Sequence, residues 1–546
     1  MIVAMVAAAS TMALLVISGS TVHIMSSMIP VFIMPIAVLD AVHILSEFFD
    51  RYPLHRDRHR AIREVMGILF KPMLFTTLTT MAGFASLALT PIPPVQVFGI
   101  FIAIGVFLAW LCTVTFIPAY IMLMPERRLT GFGHAAGDPD QDTVMGRWLR
   151  RLGEGVVSHA RAVLVVTMVV VVAAGYGISQ IRINDNPVKW FEPEHPIRVA
   201  DRVLNEHFGG TYMAYLALVP EGDNAAQDNQ IFKRPEVLRY IARLQQRLGE
   251  TGVVGKSNSV ADLVKTVHRE LLGGDDGAFR IPDSPAAVAQ TLLTYQNGHR
   301  PQDLWHFVTP DYRRASIWVQ LTSGDNRDMS RVVQALDDFI AANPPPASIQ
   351  ARWFGLNYIN VVWQDKMVSG MAMALFGSFV VVLLLMALLF RSLLWGLLCM
   401  IPLTVTIGAI YGLIGIIGKN YDMPVAVLSA LSLGLAVDYA IHFLARARAT
   451  QAETGSWRRS VAPMFGEPAR AITRNAIVLG VGFLPLLAAP LVPYQTVGVF
   501  IAAILLTAGL STLLILPALV TLLQRWLFPG ARRAAPNPQN QEEGVQ

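Results

Sequence analysis

The chain has 546 residues, of which 53% are hydrophobic and only 15% are charged, and its mean hydropathy is +0.47. This composition excludes an ordinary soluble protein and indicates an integral membrane protein of several domains. The formal net charge of +5 does not indicate nucleic-acid binding, because the excess Lys and Arg residues lie in short loops between apolar segments, where membrane topology accounts for them.

Apolar segments long enough to cross a bilayer recur along the chain. A helix that crosses about 30 Å of hydrocarbon needs about 20 apolar residues. The first segment lacks a basic n-region and is followed at once by another span, so we interpret it as a membrane helix rather than a signal peptide. The ten predicted spans are residues 1–19, 24–46, 73–91, 95–123, 162–180, 368–390, 394–418, 423–445, 473–492 and 495–524.

Basic residues predict the orientation of these spans. They crowd the loops after the second, fourth and eighth spans, whereas connections such as 90–94 and 490–493 carry no charge. Because Lys and Arg are enriched in cytoplasmic loops, we expect the three basic loops to be cytoplasmic. Residues 181–367 are then expected to lie outside the cytoplasm.

The segment 181–367 has the pattern of a soluble α+β domain. Residues 212–219 and 315–321 favour strands, and four amphipathic segments favour helices. Strands that alternate with pairs of helices are typical of a ferredoxin-like α+β sandwich. The predicted helices are residues 234–249, 258–271, 285–296 and 328–342.

An internal repeat relates the two ends of the chain. A shift of 399 residues superposes residues 37–43 on 436–442 and Gly83 on Gly482, and this offset holds over about 80 residues without a gap. The same offset sets Met1 against a residue inside the seventh span. We therefore expect an amino-terminally truncated form of an architecture with twelve spans and two outside domains.

One carboxylate lies inside the eighth predicted span. Asp438 is surrounded by apolar residues, where an acid costs at least about 2.5 kcal/mol on insertion scales and serves ion pathways from a bundle interior or wet cavity. His442 follows one turn later on the same helix face, so the two side chains are placed to share a proton. The alternative is that Asp438 only holds helices together by hydrogen bonds.

The first half carries a related but unequal site. Asp40 and His43 form a second acid and imidazole pair, and Glu47 lies one further turn along, where it is either part of the pathway or solvated at the interface. Under the offset, Asp40 aligns with Tyr439 rather than with Asp438. A shift of one residue turns a side chain by about 100° around a helix, so Asp438 is the stronger candidate.

Polar side chains on neighbouring helices are candidates to support these acids. Thr76 and Asn475 align under the same offset, and a hydroxyl or amide there can stabilise a carboxylate or a file of water. The alternative for Thr76 is a hydrogen bond to a carbonyl of its own helix. For His43 and His442 the alternative is helix packing.

The arrangement resembles the resistance-nodulation-division (RND) superfamily. Residues 434–439, with the sequence GLAVDY, match the GxxxDY pattern of its MmpL and hydrophobe/amphiphile efflux branch, whose membrane helices resemble the sterol-sensing domains of Patched-like proteins. With the predicted spans, the resemblance implies a polytopic α-helical membrane protein that has about ten of the twelve spans expected in the full-length family and one extracytoplasmic ferredoxin-like porter domain. It also implies a proton relay, for which the candidate residues are Asp438, Asp40, Tyr439, His442 and His43.

These inferences divide the chain into six predicted parts. They are the membrane helices of an incomplete first repeat (1–125), a cytoplasmic linker with an amphipathic helix (126–161), the first helix of the second repeat (162–180), the extracytoplasmic porter domain (181–367), the remaining membrane helices (368–528) and a disordered cytoplasmic tail (529–546).

The predicted function is a proton-driven secondary transporter of the bacterial inner membrane that exports lipid-like or hydrophobic molecules. The expected partners are that cargo, protons, membrane lipids and further copies of the chain. A non-transporting sensor of sterol- or hopanoid-like lipids, or an inactive fragment, is the alternative. Neither a Walker motif nor a catalytic triad is present in the sequence, and Cys112 and Cys399 provide no metal-binding spacing, so we expect no cofactor and no enzyme activity.

Overall fold

The computed structural model of the protein describes residues 1–125, 144–221 and 230–528. The chain forms two compact units. The membrane unit contains Met1–Arg182, Lys366–Ala489 and the residues from Pro493 onward. The second unit, called the outer unit after its predicted position, contains Ile183–Asp365 with Pro490–Val492. The predicted tail at 529–546 and the first part of the predicted linker, at 126–143, lie outside the described residues.

Seventeen α-helices and four strands form the main elements of the described part of the chain. The helices are α1 (Ile2–Ile17), α2 (Ile29–His55), α3 (Arg58–Ala85), α4 (Pro93–Leu123), α5 (Val144–Ser158), α6 (Ala160–Ser179), α7 (Pro196–Phe208), α8 (Pro235–Gly249), α9 (Val260–Leu271), α10 (Pro285–Gln296), α11 (Asn326–Ala342), α12 (Leu356–Phe390), α13 (Leu393–Ile416), α14 (Met423–Thr454), α15 (Trp457–Met464), α16 (Glu467–Phe483) and α17 (Val492–Leu527). The strands are β1 (Tyr212–Pro220), β2 (Val254–Asn258), β3 (Ala315–Leu321) and β4 (Ile349–Phe354).

The polytopic membrane fold is confirmed. Nine helical segments within the described ranges are long and apolar enough to cross a membrane, and they correspond to nine of the ten predicted spans. The predicted first span forms α1, an apolar helix of 16 residues. With its 16 residues, α1 has fewer than the about 20 residues that a helix needs to cross the hydrocarbon core at a rise of 1.5 Å per residue.

The central helix of the membrane unit is α14, which is buried along most of its length. Its limits follow from local chemistry. Asp422 caps the first turn by accepting a hydrogen bond from the Val425 backbone N–H at 3.1 Å, and the helix ends at Gly455, whose positive φ of 68° suits glycine. The two polar ends thus enclose an apolar segment with Asp438 inside it.

Aromatic packing brings the two repeats together. The buried Phe32 ring contacts the rings of Phe84 and Phe483, with centroid separations of 5.9 and 5.2 Å. Phe84 and Phe483 occupy the same position in the two repeats, because they are separated by the 399-residue offset. The repeats therefore face each other and share one core.

The outer unit confirms the ferredoxin-like prediction. Its sheet has the order β2-β3-β1-β4, and every neighbouring pair is antiparallel. With α8 after β1 and α11 after β3, the chain follows the β-α-β-β-α-β path of that fold, and α9 and α10 are inserted between β2 and β3. Alternate residues of β3 are buried, as expected for a sheet with one face on a core.

Two strands and one helix of the outer unit were not predicted from the sequence. β2 has the sequence VGKSN, which lacks the apolar alternation of a strand, and β4 forms the edge next to β1. The predicted helix at 258–271 begins instead at Val260, because Ser259 and Asp262 form a capping box before it. α7 was not predicted, because it has no fully buried residue and a helix is recognised in a sequence by the apolar face that it buries.

A polar network ties the first loop of the outer unit to α11. Lys189 donates to both carboxylate oxygens of Asp325 at 2.7 Å, and the Asn186 amide donates to the same group at 2.9 Å. The Asn326 backbone N–H donates to the Asn184 side-chain oxygen at 3.0 Å. Burial raises the pKa of the Asp325 carboxyl, but the hydrogen bonds from Lys189 and Asn186 outweigh burial and hold the pKa below its ordinary 3.8.

We therefore predict that Asp325 makes the outer unit sensitive to acid. A group whose pKa is lowered by folding stabilises the folded state above its ordinary pKa, and this stabilisation is lost as the pH falls through the lower, folded value. Asp325→Asn should lower stability at neutral pH by about 1 kcal/mol, a modest loss because the Lys189 side chain is exposed. It should also weaken the loss of stability below pH 3.8.

The measurement is proteolysis of segment 183–365 in the detergent-solubilised chain across a urea series at neutral and acid pH. Asp337→Asn is the matched control, because Asp337 lies exposed on the same helix and should keep the wild-type profile. Identical acid profiles for Asp325→Asn and wild type would show that the network contributes no pH-dependent stability.

Candidate functional site

The predicted acids and histidines lie on two repeat-related helices of the membrane unit. α2 carries Asp40 and His43, and α14 carries Asp438 and His442. The imidazole rings of His43 and His442 stack, with their centroids 5.4 Å apart and an angle of 22° between the rings. Because these histidines are equivalent under the 399-residue offset, their contact indicates that the halves are related by a local twofold axis near the rings.

Asn475 on α16 joins this cluster. Its Nδ2 atom lies 2.9 Å from His43 Nε2, so the amide donates a hydrogen bond across the boundary between the two halves. This bond fixes the ring orientation of His43 and leaves Nδ1 as the protonated nitrogen of the neutral ring. Thr76, the equivalent of Asn475, instead donates to the Met73 carbonyl of its own helix at 2.9 Å.

The two carboxyl groups lie inside the same bundle. Asp40 is buried and Asp438 is half-buried. Asp438 Oδ1 is out of contact with solvent and accepts no hydrogen bond from any residue that the structure describes. A buried polar atom without a partner calls for a bound proton, a water molecule or a ligand.

Tyr439 and Glu47 differ from the rest of the predicted set. Tyr439 is fully buried, and its hydroxyl has no hydrogen-bond partner within the described ranges. Glu47 lies two turns from Asp40 on α2 and pairs with Arg51 at 2.8 Å, and Arg51 also contacts Glu64. Glu47 thus takes part in an ion-pair network near the end of α2.

A close crossing of α3 and α14 explains the glycine of the GxxxDY pattern. A Cβ atom built on Gly83 would lie 2.9 Å from the Cα and N atoms of Gly434, and Thr80 Oγ1 donates to the Gly434 carbonyl at 2.9 Å. Small residues permit such close contact between membrane helices. Asp438, four residues after Gly434, projects from the same face of α14.

The equivalent crossing in the other half is looser. A Cβ atom built on Gly482 of α16 would lie 3.5 Å from the Cβ and Cγ atoms of Pro35 on α2, an ordinary van der Waals distance. No role was predicted for Gly83, although Gly83 and Gly482 occupy equivalent positions of the repeat. Pro35 in place of glycine accounts for the difference between the two crossings.

Two family sequence patterns match the chain. The pattern of the MMPL family matches residues 236–541. The pattern described as the sterol-sensing domain of SREBP cleavage-activation matches residues 1–136. The first match covers more than half of the chain and includes α14, and the second includes α2.

Individual proteins resemble different parts of the chain. A membrane protein of Methanocaldococcus jannaschii is 20% identical over 371 residues, which cover 68% of this chain and 92% of the relative. The probable transport protein MmpL10 of Mycobacterium leprae is 26% identical over 254 residues, which cover 45% of this chain and 23% of the relative. This chain thus spans less than a quarter of MmpL10.

The fold resembles that of a solved structure. In the cryo-EM structure of the hedgehog release protein Disp from the water bear Hypsibius dujardini, the match has a TM-score of 0.59 at 14% sequence identity. It covers 91% of this chain and 63% of the Disp chain. At this identity the likeness shows a shared fold.

The unequal crossings predict unequal responses to the same substitution. Gly83→Ala should lower the melting temperature of the detergent-purified chain by several degrees, since the backbone of α3 or α14 must move to admit a methyl group, at a cost of about 1–3 kcal/mol. Gly482→Ala should change stability by less than about 0.5 kcal/mol, because the added Cβ atom would lie at an ordinary van der Waals distance from Pro35. Equal losses in the two variants would contradict the assigned packing.

Proposed function

This chain belongs to the MMPL family, and from that premise we propose that it is a secondary transporter of lipid-like or hydrophobic molecules, driven by protons that move inward across the bacterial inner membrane. Asp438 and Asp40 take up and release the protons. His43, His442 and Asn475 form the proton path between the two halves, and Tyr439 lies beside this path. In this proposal the outer unit is the extracytoplasmic porter domain.

The contact between the equivalent histidines carries the proposal. The stacked His43 and His442 rings bring the acid-bearing helices of both repeats to one place inside the membrane unit. Two carboxyl groups placed inside one bundle resist being charged together, so a proton gained or lost at one changes the other. Such a pair responds to protons supplied from either side of a membrane.

The available energy is sufficient for a conformational switch. One charge that crosses a potential of 100 mV provides about 2.3 kcal/mol, which changes the ratio of two conformations by about fiftyfold. In this proposal a proton is bound at the unpartnered Asp438 oxygen in one of the two conformations and is absent in the other. A change at Asp438 is then passed to helices of both halves, because α14 packs against α3 of the first half and against α13 and α16 of the second.

The cargo class comes from the family and from relatives. MmpL10 is named as a probable transport protein, and the Disp structure shows that this fold serves in a protein that releases hedgehog. Exposed apolar side chains such as Val169 and Phe376 cover the outer faces of α6 and α12, where a hydrophobic molecule in the bilayer meets the protein directly.

A second candidate function is a lipid sensor that does not transport. The match of residues 1–136 to a sterol-sensing domain favours it, because that region holds α2 with Asp40 and His43. A sensor binds its lipid whether or not a proton gradient is present. The two functions therefore differ in their dependence on an imposed gradient.

We predict that Asp438→Asn abolishes proton-coupled lipid movement. The chain is reconstituted in liposomes that contain a pH-sensitive dye and a fluorescent phospholipid, and transfer of that phospholipid to external albumin is measured with and without an inward proton gradient. The wild type should show gradient-dependent transfer and proton entry. Asp438→Asn should fall to the level of protein-free liposomes, because an amide cannot carry the proton, and Asp40→Asn should show a smaller loss.

Asp276→Asn is the matched control, because Asp276 is an exposed acid of the outer unit and should leave both signals unchanged. Gradient-dependent transfer by Asp438→Asn at the wild-type rate would refute the relay assignment. Lipid binding that is saturable but indifferent to the gradient in the wild type would favour the sensor.

A further inference from the structure

An apolar groove opens between α5, α16 and α17 in the membrane unit. It has a volume of about 510 Å³, within the range of small-molecule sites, and apolar side chains such as Trp148, Ile477 and Leu510 line it. The hydroxyl of Thr473 in the wall is already bonded to the Ala469 carbonyl of its own helix at 2.8 Å. The groove therefore suits a hydrocarbon chain better than a polar ligand.

The helix that forms one wall has the pattern of a membrane-surface helix. One stripe of α5, which includes Gly146 and Gly153, is buried, and a Cβ atom on Gly153 would lie 2.3 Å from the Phe465 ring. This contact fixes α5 against the bundle. Trp148 is 64% exposed on the apolar side that faces the groove, as in helices that lie in the plane of a membrane interface.

The helix that forms one wall of the groove, α5, also carries positive charge. Arg147 and Arg151 lie four residues apart on the same polar face of α5, and both are exposed. Neither forms an ion pair with any residue in the described ranges. Two adjacent guanidinium groups suit a phosphate, which they bind through paired hydrogen bonds.

We propose that this groove binds one anionic phospholipid of the cytoplasmic leaflet, with an acyl chain between α5, α16 and α17 and the phosphate at Arg147 and Arg151. The apolar lining selects a hydrocarbon chain, and the basic face selects an anionic headgroup, so both parts of one amphiphile are satisfied. The site is separate from the histidine cluster, because α16 stands between them. Asn475 faces His43, whereas Thr473, Ala476 and Ile477 face the groove.

The test uses native mass spectrometry of the detergent-purified chain with phosphatidylglycerol and phosphatidylcholine that carry identical acyl chains. The wild type should retain one phosphatidylglycerol more strongly than phosphatidylcholine. Removing both arginines, in Arg147→Gln with Arg151→Gln, should weaken phosphatidylglycerol binding by about twenty-five-fold, since each basic residue near a membrane surface contributes about a factor of five. Ile477→Trp should block binding by filling the groove.

Two matched controls keep the result specific. Arg60→Gln with Arg63→Gln removes the same charge from exposed residues of α3, and Ile100→Trp adds the same ring to a 42% exposed position of α4. Both controls should bind like the wild type, and every variant should elute as the wild type does in gel filtration.

A second measurement reports the position of the acyl chain. Phosphatidylglycerol with brominated acyl chains should quench a fluorescence component that Trp148→Phe removes. Equal retention of the two lipids by the wild type, or equal losses in the test and control variants, would overturn the proposal.

Discussion

A charged or unpaired polar group in hydrocarbon is costly, and this constraint determines how the membrane unit is organised. The acids and histidines of α2 and α14 avoid lipid by meeting in the centre of the bundle. Stacking of His43 on His442 requires the helices of the two repeats to face each other, and the shared packing of Phe84 and Phe483 on Phe32 is consistent with the same arrangement. One local symmetry thus accounts for both the polar centre and the apolar core of the membrane unit.

The symmetry is incomplete, and the difference begins at one position. Gly434 allows α3 to approach the backbone of α14, and the Thr80 hydroxyl bonds to its carbonyl. Pro35 occupies the equivalent position in α2 and keeps Gly482 at an ordinary contact distance. Asp438 therefore lies on a tightly held helix face, whereas Asp40 lies on a helix with a looser crossing. Two acids in such unlike surroundings are not interchangeable.

The sequence predicted which residues lie together in the membrane unit, but it did not predict the contacts that each of them makes. The 399-residue offset identified His43 and His442 as equivalent, and the exclusion of charge from lipid placed them inside the bundle. The spacing of Asp438 and His442 suggested a pair within one helix, but His43 bonds to Asn475 of α16 and stacks on its own counterpart. Periodicity identifies the face of a helix, whereas the partner depends on helix crossings that no local pattern encodes.

The same limit applies to the outer unit. Its long amphipathic helices and the alternating strand β3 were predictable, because each buries one regular face. β2 is a strand because it pairs with β3 despite the sequence VGKSN, so its conformation depends on tertiary contacts. The ion pair of Lys189 and Asp325 joins residues 136 positions apart, a distance over which charge patterns in the sequence carry no information.

α16 links the two candidate sites of the membrane unit. One of its faces donates the Asn475 amide to His43, and the other face forms a wall of the apolar groove beside α5. A rotation or shift of this helix changes both the hydrogen bond at the histidine cluster and the width of the groove. We expect a lipid that fills the groove to oppose such a shift and a change of protonation at the cluster to promote it. Linkage of this kind is reciprocal, so protonation of the cluster must alter lipid affinity by the same factor by which lipid alters proton affinity.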